Sequence, residues 1–184
     1  MTITPWKVLG SRHIHPRFRI DDCELPNGNH LDTIIFEFRS WGNVLAVTKE
    51  NQAVLIRQYR HGVQEVMWEI PGGVVDDGED PMEGVMRELL EETGYTSSNI
   101  IPLGTFLPNP ALQTNSMFCY LALDAERVAD QHLDGAEEIE VHLVPLEDIL
   151  LCEPRLRQVG AVLLSHRGAK LLTVNEVLVE RSGQ

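Results

Sequence analysis

One segment near the middle of the chain constrains the fold more than any other, because its glycines, cap residues and acids together specify a loop followed by a helix. Residues 73–95 follow the spacing G-x5-E-x7-R-E-L-x-E-E-x-G. Asp80 is a suitable N-cap, and Pro81 suits the first helical position, where no backbone N–H is needed. Gly94 is a natural residue to end a helix in the left-handed conformation. The segment therefore predicts a helix that begins near Asp80 and ends just before Gly94.

The predicted helix has one apolar face, and its acids lie beside that face. At about 100° per residue the apolar sector holds Met82, Val85, Met86, Leu89 and Leu90. This sector must pack against the core. The carboxylates are excluded from it, and Glu88, Glu91 and Glu92 share a neighbouring sector of about 100°.

Three carboxylates in one sector favour a bound cation. Glu88 and Glu92 form an i, i+4 pair of like charge, which costs an isolated helix roughly 0.2 to 0.5 kcal/mol. A divalent metal reverses the sign of that interaction. Because the candidate ligands are oxygens with no Cys or His nearby, the pattern favours Mg²⁺, or alternatively Mn²⁺, over Zn²⁺. A solvated acidic helix face is the other interpretation, but the glycines, the Arg87-Glu88 step and the capped helix together favour a site.

The segment 73–95 resembles the signature of the Nudix hydrolases, enzymes that cleave a nucleoside diphosphate linked to another group. The resemblance implies that Glu88, Glu91 and Glu92 are catalytic residues that carry the metal ligands. It also implies that the backbone carbonyl of Gly72 or Gly73 adds a further ligand.

Arg87 and Glu79 are implied by the same resemblance to hold the helix in place. From its charge alone, Arg87 can orient one carboxylate, either Glu79 or Glu91. Gly84 lies inside the helix, where a glycine costs about 1 kcal/mol relative to alanine. Two explanations stay open: the missing side chain gives a phosphate or metal-bound water access to the acidic face, or the glycine is tolerated through close backbone packing.

The rest of the chain is rich in predicted strands first and in predicted helices last. The predicted strands are residues 17–22, 30–38, 43–48, 53–58, 67–70, 101–106, 117–123 and 140–144. Hairpin turns are expected at 26–29 and 49–52, and helices at 146–151 and 155–172. This order indicates an α/β fold, which is the Nudix α/β/α sandwich with a mixed sheet. An N-terminal antiparallel strand unit, residues 1–42, is expected to precede a Nudix hydrolase domain at 43–184.

Composition limits which binding partners and which cellular compartment we expect for this protein. The chain has 184 residues, 43% of them hydrophobic, and a formal net charge of −13. That charge argues against nucleic acid or an anionic membrane as a partner, and it makes a bridging cation more necessary for an anionic diphosphate substrate. The 3 cysteines lack a C-x-x-C spacing, which fits unpaired thiols in a reducing cytosol. We therefore expect a cytoplasmic protein with no membrane-spanning segment.

Residues outside the signature indicate the substrate. The runs at 57–60 and 68–73 resemble the ADP-ribose pyrophosphatase branch of the family. Arg60 is the best candidate for a diphosphate or terminal-ribose contact, because a guanidinium matches phosphate geometry. Arg57 is a further substrate-binding candidate in the same motif. Glu69 faces either the substrate or a salt bridge at the strand edge. Pro110 matches a proline of that branch, where a loop borders the substrate, and is otherwise part of an ordinary turn.

The branch resemblance implies metal-dependent hydrolysis of ADP-ribose or a related nucleoside diphosphate sugar, giving a nucleoside monophosphate and a sugar phosphate. The alternatives are another diphosphate, such as GDP-mannose or a dinucleotide, and a Nudix module that binds ADP-ribose without cleaving it. The general base is either a signature glutamate or a carboxylate of the acidic loop 134–140. In that loop Glu137 is the choice and Glu138 the close second: the second acid of the branch's acid-x-acid pattern falls on Glu137, whereas the first falls on Gly135, a departure from the pattern. A homodimer formed through the N-terminal strands is also implied.

Overall fold

The computed structural model describes residues 3–135, 137–146, 148 and 149 of the chain. These residues divide into two compact units. The first contains the described residues up to Ser40 together with Phe106–Met117, and the second contains Trp41–Thr105 together with the described residues from Phe118 onward. The expected boundary after residue 42 lies close to this division, but residues 106–117 were not expected in the first unit. The domains 1–42 and 43–184 stay a prediction.

Eleven strands and one helix of three or more turns are formed by the described residues. In chain order they are β1 (Lys7–His15), β2 (Phe18–Glu24), β3 (His30–Phe36), β4 (Trp41–Thr48), β5 (Gln52–Arg60), β6 (Glu65–Glu69), β7 (Gly72–Val74), α1 (Pro81–Thr93), β8 (Tyr95–Thr96), β9 (Asn99–Phe106), β10 (Met117–Arg127) and β11 (Ile139–Pro145). Every predicted strand overlaps one of these. Strands β1, β7 and β8 were not predicted, and β7 lies where the sequence indicated only a turn.

The first unit is built on an antiparallel sheet in the order β1-β2-β3. The predicted turn between β2 and β3 is confirmed, and its Gly28 has a φ of 81°, a conformation that favours glycine. Residues 106–117 join this unit through Phe36, whose backbone N donates to the carbonyl of Leu112 at 2.7 Å. The N-terminal antiparallel strands expected from the sequence are therefore confirmed.

The second unit contains an eight-stranded mixed sheet whose main path is β11-β5-β4-β10-β8. Strand β6 pairs with β5, β7 with β4, and β9 with β10. The predicted hairpin between β4 and β5 is confirmed, because these strands pair in antiparallel fashion across the turn at Asn51. The pairing of β6 and β7 with neighbouring central strands brings the segment that precedes α1 back to the middle of the sheet.

Strand β4 is buried on both faces, so the sheet carries a core on each side. Val44 packs in a cluster with Val85 and Leu89 of α1. Leu45, which points to the opposite face, packs in a second cluster with Leu146. This arrangement is an α/β sandwich with α1 covering one face of the sheet, as predicted.

The predicted ends of α1 are confirmed. The side chain of Asp80 accepts hydrogen bonds from the backbone N of Met82 at 2.9 Å and of Glu83 at 3.3 Å. Gly94 ends the helix with a φ of 75°, and its backbone N donates to the carbonyl of Leu90 at 2.8 Å. Local capping residues therefore set both ends of the helix that carries the acids.

The predicted apolar face of α1 is correct only in part. Val85 and Leu89 are fully buried, but Met82 is 39% exposed and Leu90 is 37% exposed. Met82 lies in the first turn, at the end of the helix, and Leu90 lies at the edge of the apolar sector. The contact with the sheet is therefore narrower than the sector that the sequence indicated.

The C-terminal predictions are tested over a short stretch. Leu146, Asp148 and Ile149 are helical, in agreement with the helix expected at 146–151. The remainder of that helix and the helix expected at 155–172 lie outside the described residues. Within the part of the chain that is described, no helix has the length and apolar character needed to cross a membrane.

Candidate active site

Two of the acids of α1 lie against the glycines of β7. The Oε2 atom of Glu92 accepts a hydrogen bond from the backbone N of Gly72 at 2.9 Å. The carboxylate of Glu88 lies so near Gly73 that a Cβ atom there would be 2.4 Å from its Cδ. Only glycine leaves room for that carboxylate. The structure thus brings together four residues that were predicted from the signature as a metal site.

Arg87 links the third acid to this group. Its Nη1 atom donates to Oε1 of Glu88 and to Oε2 of Glu91, both at 3.0 Å. Its Nε atom donates to Oε1 of Glu79 at 3.1 Å. The other oxygen of Glu79 accepts from the backbone N of Asp76 at 2.9 Å. Arg87 therefore connects the loop before the helix to two of the acids, and does not serve a single carboxylate.

Gly84 is explained by close packing. A Cβ atom at this position would lie 2.7 Å from Oε2 of Glu79, closer than a non-bonded contact allows. The carboxylate of Glu79 therefore fills the space that a side chain at position 84 would need. The structure supports packing against Glu79, and gives no support to an entry path for phosphate or water.

The acids resist being charged together. Glu92 is only 5% exposed. Its burial, with smaller effects from the charges of Glu88 and Glu137, raises its pKa to about 8, although the hydrogen bond from Gly72 opposes the shift. Burial also raises the pKa of Glu88, against the effect of Arg87. A cation between these carboxylates would favour their charged forms against the effects of burial and of neighbouring acids.

The donor set fits a hard divalent cation. One oxygen of each carboxylate accepts from Arg87 or Gly72, and the second oxygen of Glu88, Glu91 and Glu92 accepts no hydrogen bond from the described residues. Carboxylate oxygens are preferred ligands of Mg²⁺ and Mn²⁺. Among residues that the structure describes, no three His, Cys, Asp or Glu side chains already converge as a cage. Binding would therefore bring the second oxygens of these carboxylates closer together, and the ligand roles stay predictions.

Arg60 and Glu69, both predicted to contact substrate, form an ion pair with each other. The Nε atom of Arg60 donates to Oε1 of Glu69 at 2.9 Å, and its Nη2 atom donates to Oε2. Gln58 also donates to Oε2 of Glu69, at 3.3 Å. The hydrogen bonds between Arg60 and Glu69 raise the pKa of Arg60, and the charges of Glu69, Glu92 and Glu137 contribute. Arg60 is therefore within electrostatic reach of the acids.

Arg57 points away from the acids. Residues 57 and 60 are separated by an odd number of positions on β5, so their side chains project from opposite faces of the sheet. The guanidinium of Arg57 lies 5.4 Å from the ring centroid of Trp68, and Nη1 donates to Oε2 of Glu140 at 3.3 Å. The structure does not bring Arg57 to the acid cluster, and its contact with substrate stays a prediction.

Pro110 belongs to the first unit and lies in an exposed turn. The carbonyl of Asn109 accepts hydrogen bonds from the backbone N of Leu112 at 3.1 Å and of Gln113 at 2.8 Å, which closes the turn around the proline. An ordinary turn accounts for the proline locally. Its place beside the substrate stays a prediction.

Glu137 lies in the loop between β10 and β11, close enough for its charge to raise the pKa values of Glu88 and Glu92. Its Oε2 atom accepts from the backbone N of Asp134 at 3.2 Å, and its own backbone N donates to the carbonyl of Asp134 at 2.9 Å. The side chain is exposed. The structure therefore brings the predicted base toward the acids of α1, while its catalytic role is untested.

The family can now be stated. The NUDIX domain matches residues 39–174, which is most of the chain. The chain belongs to the Nudix family. An ADP-ribose pyrophosphatase of Bacillus subtilis (strain 168) is 34% identical to this Nudix hydrolase over 132 residues, covering 71% of each chain. A methanol dehydrogenase activator of Bacillus methanolicus is 36% identical over 150 residues, covering 81% of this chain and 80% of that protein.

A solved structure shows the same fold. The crystal structure of an ADP compounds hydrolase superposes on the Nudix chain with a TM-score of 0.80 and covers 98% of both chains, at 21% sequence identity. The resemblance drawn from residues 73–95 and the fold class expected from it are therefore confirmed.

Sequence reasoning missed one residue beside the Nudix acids. The side chain of Gln131 donates to the backbone carbonyl of Glu92 at 2.7 Å and to that of Ile139 at 3.1 Å. A lone glutamine in a polar loop carries no signal by itself. The missing information is where the loop lies relative to α1.

Proposed function

We propose that this Nudix hydrolase cleaves the diphosphate linkage of ADP-ribose or a related nucleoside diphosphate sugar in a reaction that depends on a divalent cation. The products are a nucleoside monophosphate and a sugar phosphate. The observation that carries the proposal is a pair of carboxylates, the buried Glu92 and the half-buried Glu88, against two glycines, with Glu92 within electrostatic reach of Arg60. Identity of 34% to an ADP-ribose pyrophosphatase supports the class of substrate.

Glu88, Glu91 and Glu92, with the carbonyl of Gly72, would hold the cation, which we propose to be Mg²⁺ with Mn²⁺ as the alternative. When bound, it would neutralise charge on the diphosphate oxygens and make water easier to deprotonate. A chain with a net charge of −13 has particular need of such a cation to accept an anionic substrate.

Arg60 would bind the diphosphate. Its guanidinium already presents two parallel donors to the carboxylate of Glu69, and a phosphate offers the same arrangement of acceptor oxygens. Glu69 would hold that fork in place until the substrate arrives. In this role Glu69 orients Arg60, and Gln58 helps to orient Glu69.

Glu137 would act as the general base. Its carboxylate would accept a proton from the attacking water, whose oxygen forms a bond to one phosphorus of the diphosphate. The bond between that phosphorus and the bridging oxygen then breaks, and the bridging oxygen leaves with the second phosphate. Glu138 remains the alternative base in this loop.

Two alternatives follow from the same site. A different diphosphate, such as GDP-mannose or a dinucleotide, would use the same acids and Arg60. A module that binds ADP-ribose without cleaving it would have no need of Glu88 and Glu91, which Arg87 holds, or of Glu92, which the backbone N of Gly72 holds. The intact acid cluster therefore favours hydrolysis over binding alone.

Chromatographic detection of the released nucleoside monophosphate, AMP or GMP according to the substrate, tests the proposal. The full chain is incubated separately with ADP-ribose, GDP-mannose and NAD⁺, in Mg²⁺, in Mn²⁺ and in EDTA. We expect AMP and ribose 5-phosphate from ADP-ribose with Mg²⁺, and none in EDTA. Equal hydrolysis in EDTA would contradict the metal dependence. A rate at least tenfold higher on another substrate would favour the first alternative, and ADP-ribose binding without products would favour the second.

We also propose that the protein is a homodimer formed through the N-terminal strands. Strand β1 lies at the edge of its sheet, and all 9 of its residues are exposed. Val8, Leu9 and Ile14 add apolar surface to this edge. A long exposed edge of this kind offers unpaired backbone groups with which a strand of a second copy can pair. Light scattering after size exclusion should give the mass of a dimer, and Ile14→Lys should shift it toward that of a monomer.

A further inference from the structure

The end of α1 is held by the loop that follows β10. A helix leaves its last carbonyls without partners inside the helix, and the last turn of α1 contains no basic residue. Backbone N–H groups of the loop supply hydrogen-bond donors to carbonyls at this end of the helix. The carbonyl of Gly94 accepts from Val128 at 2.9 Å and from Ala129 at 3.2 Å, and the carbonyl of Glu91 accepts from His132 at 2.8 Å.

The loop approaches the helix so closely that only glycine fits at the contact. A Cβ atom on Gly94 would lie 2.1 Å from the carbonyl oxygen of Ala129. The positive φ of 75° at Gly94 imposes the same requirement from the backbone. The junction of loop and helix is therefore a fixed contact.

Gln131 completes this junction with its side chain. Its Nε2 atom donates one hydrogen bond to the carbonyl of Glu92 at 2.7 Å and another to the carbonyl of Ile139 at 3.1 Å. A glutamine amide has two N–H donors, and both are used. One acceptor belongs to the most buried acid of the site, and the other begins β11 directly after Glu137 and Glu138.

We propose that Gln131 is a positioning residue for Glu137. Glu137 lies in the stretch between Gln131 and Ile139. The amide of Gln131 holds one end of this stretch to the carbonyl of Glu92 and the other end to itself through the carbonyl of Ile139. These two bonds set the distance from the carboxylate of Glu137 to the acids of α1. The turn between Glu137 and Asp134 supplies the remaining restraint. This inference rests on the role proposed above for Glu137.

Gln131→Met tests the proposal, because methionine keeps the length of the side chain and removes both donors. We expect kcat for ADP-ribose to fall about tenfold, since a small displacement of a catalytic group is costly, while KM changes less than twofold. Gln52→Met is the matched control, because the side chain of Gln52 makes no hydrogen bond to other described residues. It should leave kcat unchanged. Wild-type kcat in Gln131→Met would overturn the proposal.

A double-mutant cycle separates positioning from general loosening of the fold. In a Glu137→Gln background, Gln131→Met should change kcat less than twofold, because the group that it positions has lost its function. An equal fall in both backgrounds would overturn the proposal. Wild-type turnover in Glu137→Gln alone would also overturn it, while leaving metal-dependent hydrolysis standing.

Hydrogen–deuterium exchange checks the contact without relying on turnover. Gln131→Met should raise the exchange rate of a peptide spanning residues 128–139 about tenfold, and Gln52→Met should not. An unchanged rate in Gln131→Met would overturn the proposal. If the wild-type protein released no nucleoside monophosphate from any substrate, the proposed function would fail, and the exchange measurement would still decide whether Gln131 holds the loop.

Discussion

Asp21 in the first unit and Glu92 in the second are buried carboxylates whose pKa values shift in opposite directions. Each is 5% exposed. Hydrogen bonds from Arg19 lower the pKa of Asp21, with help from Ser11. Burial raises the pKa of Glu92 to about 8, with smaller effects from Glu88 and Glu137. Equal exposure to solvent therefore has opposite consequences in the two regions.

The partners explain the difference. The Nε atom of Arg19 donates to Oδ1 of Asp21 at 2.9 Å and to Oδ2 at 3.1 Å, and Ser11 donates to Oδ1 at 2.6 Å. Glu92 has one backbone N–H, from Gly72, and like charges around it. A buried carboxylate with a cation contributes to the fold, whereas one without a cation is poised to bind one.

Glu79 shows that both kinds of carboxylate occur within the candidate active site. It receives hydrogen bonds from Arg87 and from the backbone N of Asp76, as Asp21 receives them from Arg19 and Ser11. The acids thus differ in whether an arginine binds the carboxylate, and not in which unit of the chain they belong to. This difference predicts that Glu79 and Asp21 have structural roles and that Glu92 has a functional one.

Glu92→Gln should have the largest effect on activity and little effect on stability. Turnover of ADP-ribose with Mg²⁺ should fall at least about a hundredfold, because a charge that stabilises the transition state is lost. The free energy of unfolding should fall by no more than about 0.5 kcal/mol, since the amide oxygen can still accept from Gly72. Steady-state kinetics and urea denaturation measure the two quantities.

Glu83→Gln is the control for this variant, because Glu83 is an exposed acid on the same helix and lies outside the site. It should keep wild-type turnover. The contrast between a functional Glu92 and a structural Asp21 would be wrong if Glu92→Gln retained turnover within threefold of wild type. It would also be wrong if Glu92→Gln destabilised the protein as strongly as Asp21→Asn.

Gly84→Ala should have an intermediate effect. An alanine inside a helix normally stabilises it by about 1 kcal/mol relative to glycine. Here the new methyl group would displace the carboxylate of Glu79 from Arg87, so we expect no gain in stability and a turnover about fivefold lower. The measurement is kcat together with the free energy of unfolding.

Gly62→Ala is the matched control, because an added Cβ there meets no atom within 4 Å. It should leave turnover unchanged. If Gly84→Ala were about 1 kcal/mol more stable with wild-type turnover, the structural role predicted for Glu79 would be contradicted.

Asp21→Asn should have the smallest effect on chemistry and should act on stability. Arg19 would lose its ionised partner, which we expect to lower the free energy of unfolding by about 1 to 2 kcal/mol, with kcat within twofold of wild type. Asp22→Asn is the control, because the neighbouring side chain is exposed and should cost less than about 0.5 kcal/mol. Equal losses in the two variants would contradict the role of Asp21.

The pH dependence sharpens this last prediction. Because the pKa of Asp21 is lowered in the folded protein, its contribution to stability is present above the unfolded value of about 3.9 and is lost as pH falls through the folded value. The difference in free energy of unfolding between wild type and Asp21→Asn should therefore be constant above about pH 5 and shrink below about pH 4. A difference that grows in acid would have the wrong sign.

The sequence predicted the helix and the grouping of its acids well, because their causes are local. Asp80 and Pro81 set the start of α1 and Gly94 sets its end, each through contacts within a few residues, and helical periodicity places Glu88 and Glu92 side by side. Apolar runs bounded by turn residues likewise predicted eight of the strands. Strand β1 was not predicted. All its residues are exposed, so its sequence lacks the alternation of buried apolar and exposed polar residues that indicates a strand.

Side-chain partners were harder to predict. The odd spacing of Arg57 and Arg60 already indicates opposite faces of β5, and this signal in the sequence was not used. The pairing of Arg60 with Glu69 depends on the register of β5 and β6. The two hydrogen bonds of Gln131 depend on where a loop meets a helix, and nothing within that loop reveals the meeting point.

The sequence by itself determined the family, the capped helix and the identity of the acids, because caps, glycine turns and periodicity act over a few residues. Only the tertiary structure decided which carboxylate has a cation beside it, which arginine faces the acids and which glutamine holds the acidic loop. Those outcomes depend on burial and on contacts between residues far apart in the chain, and they set the pKa of Glu92 and Asp21 in opposite directions.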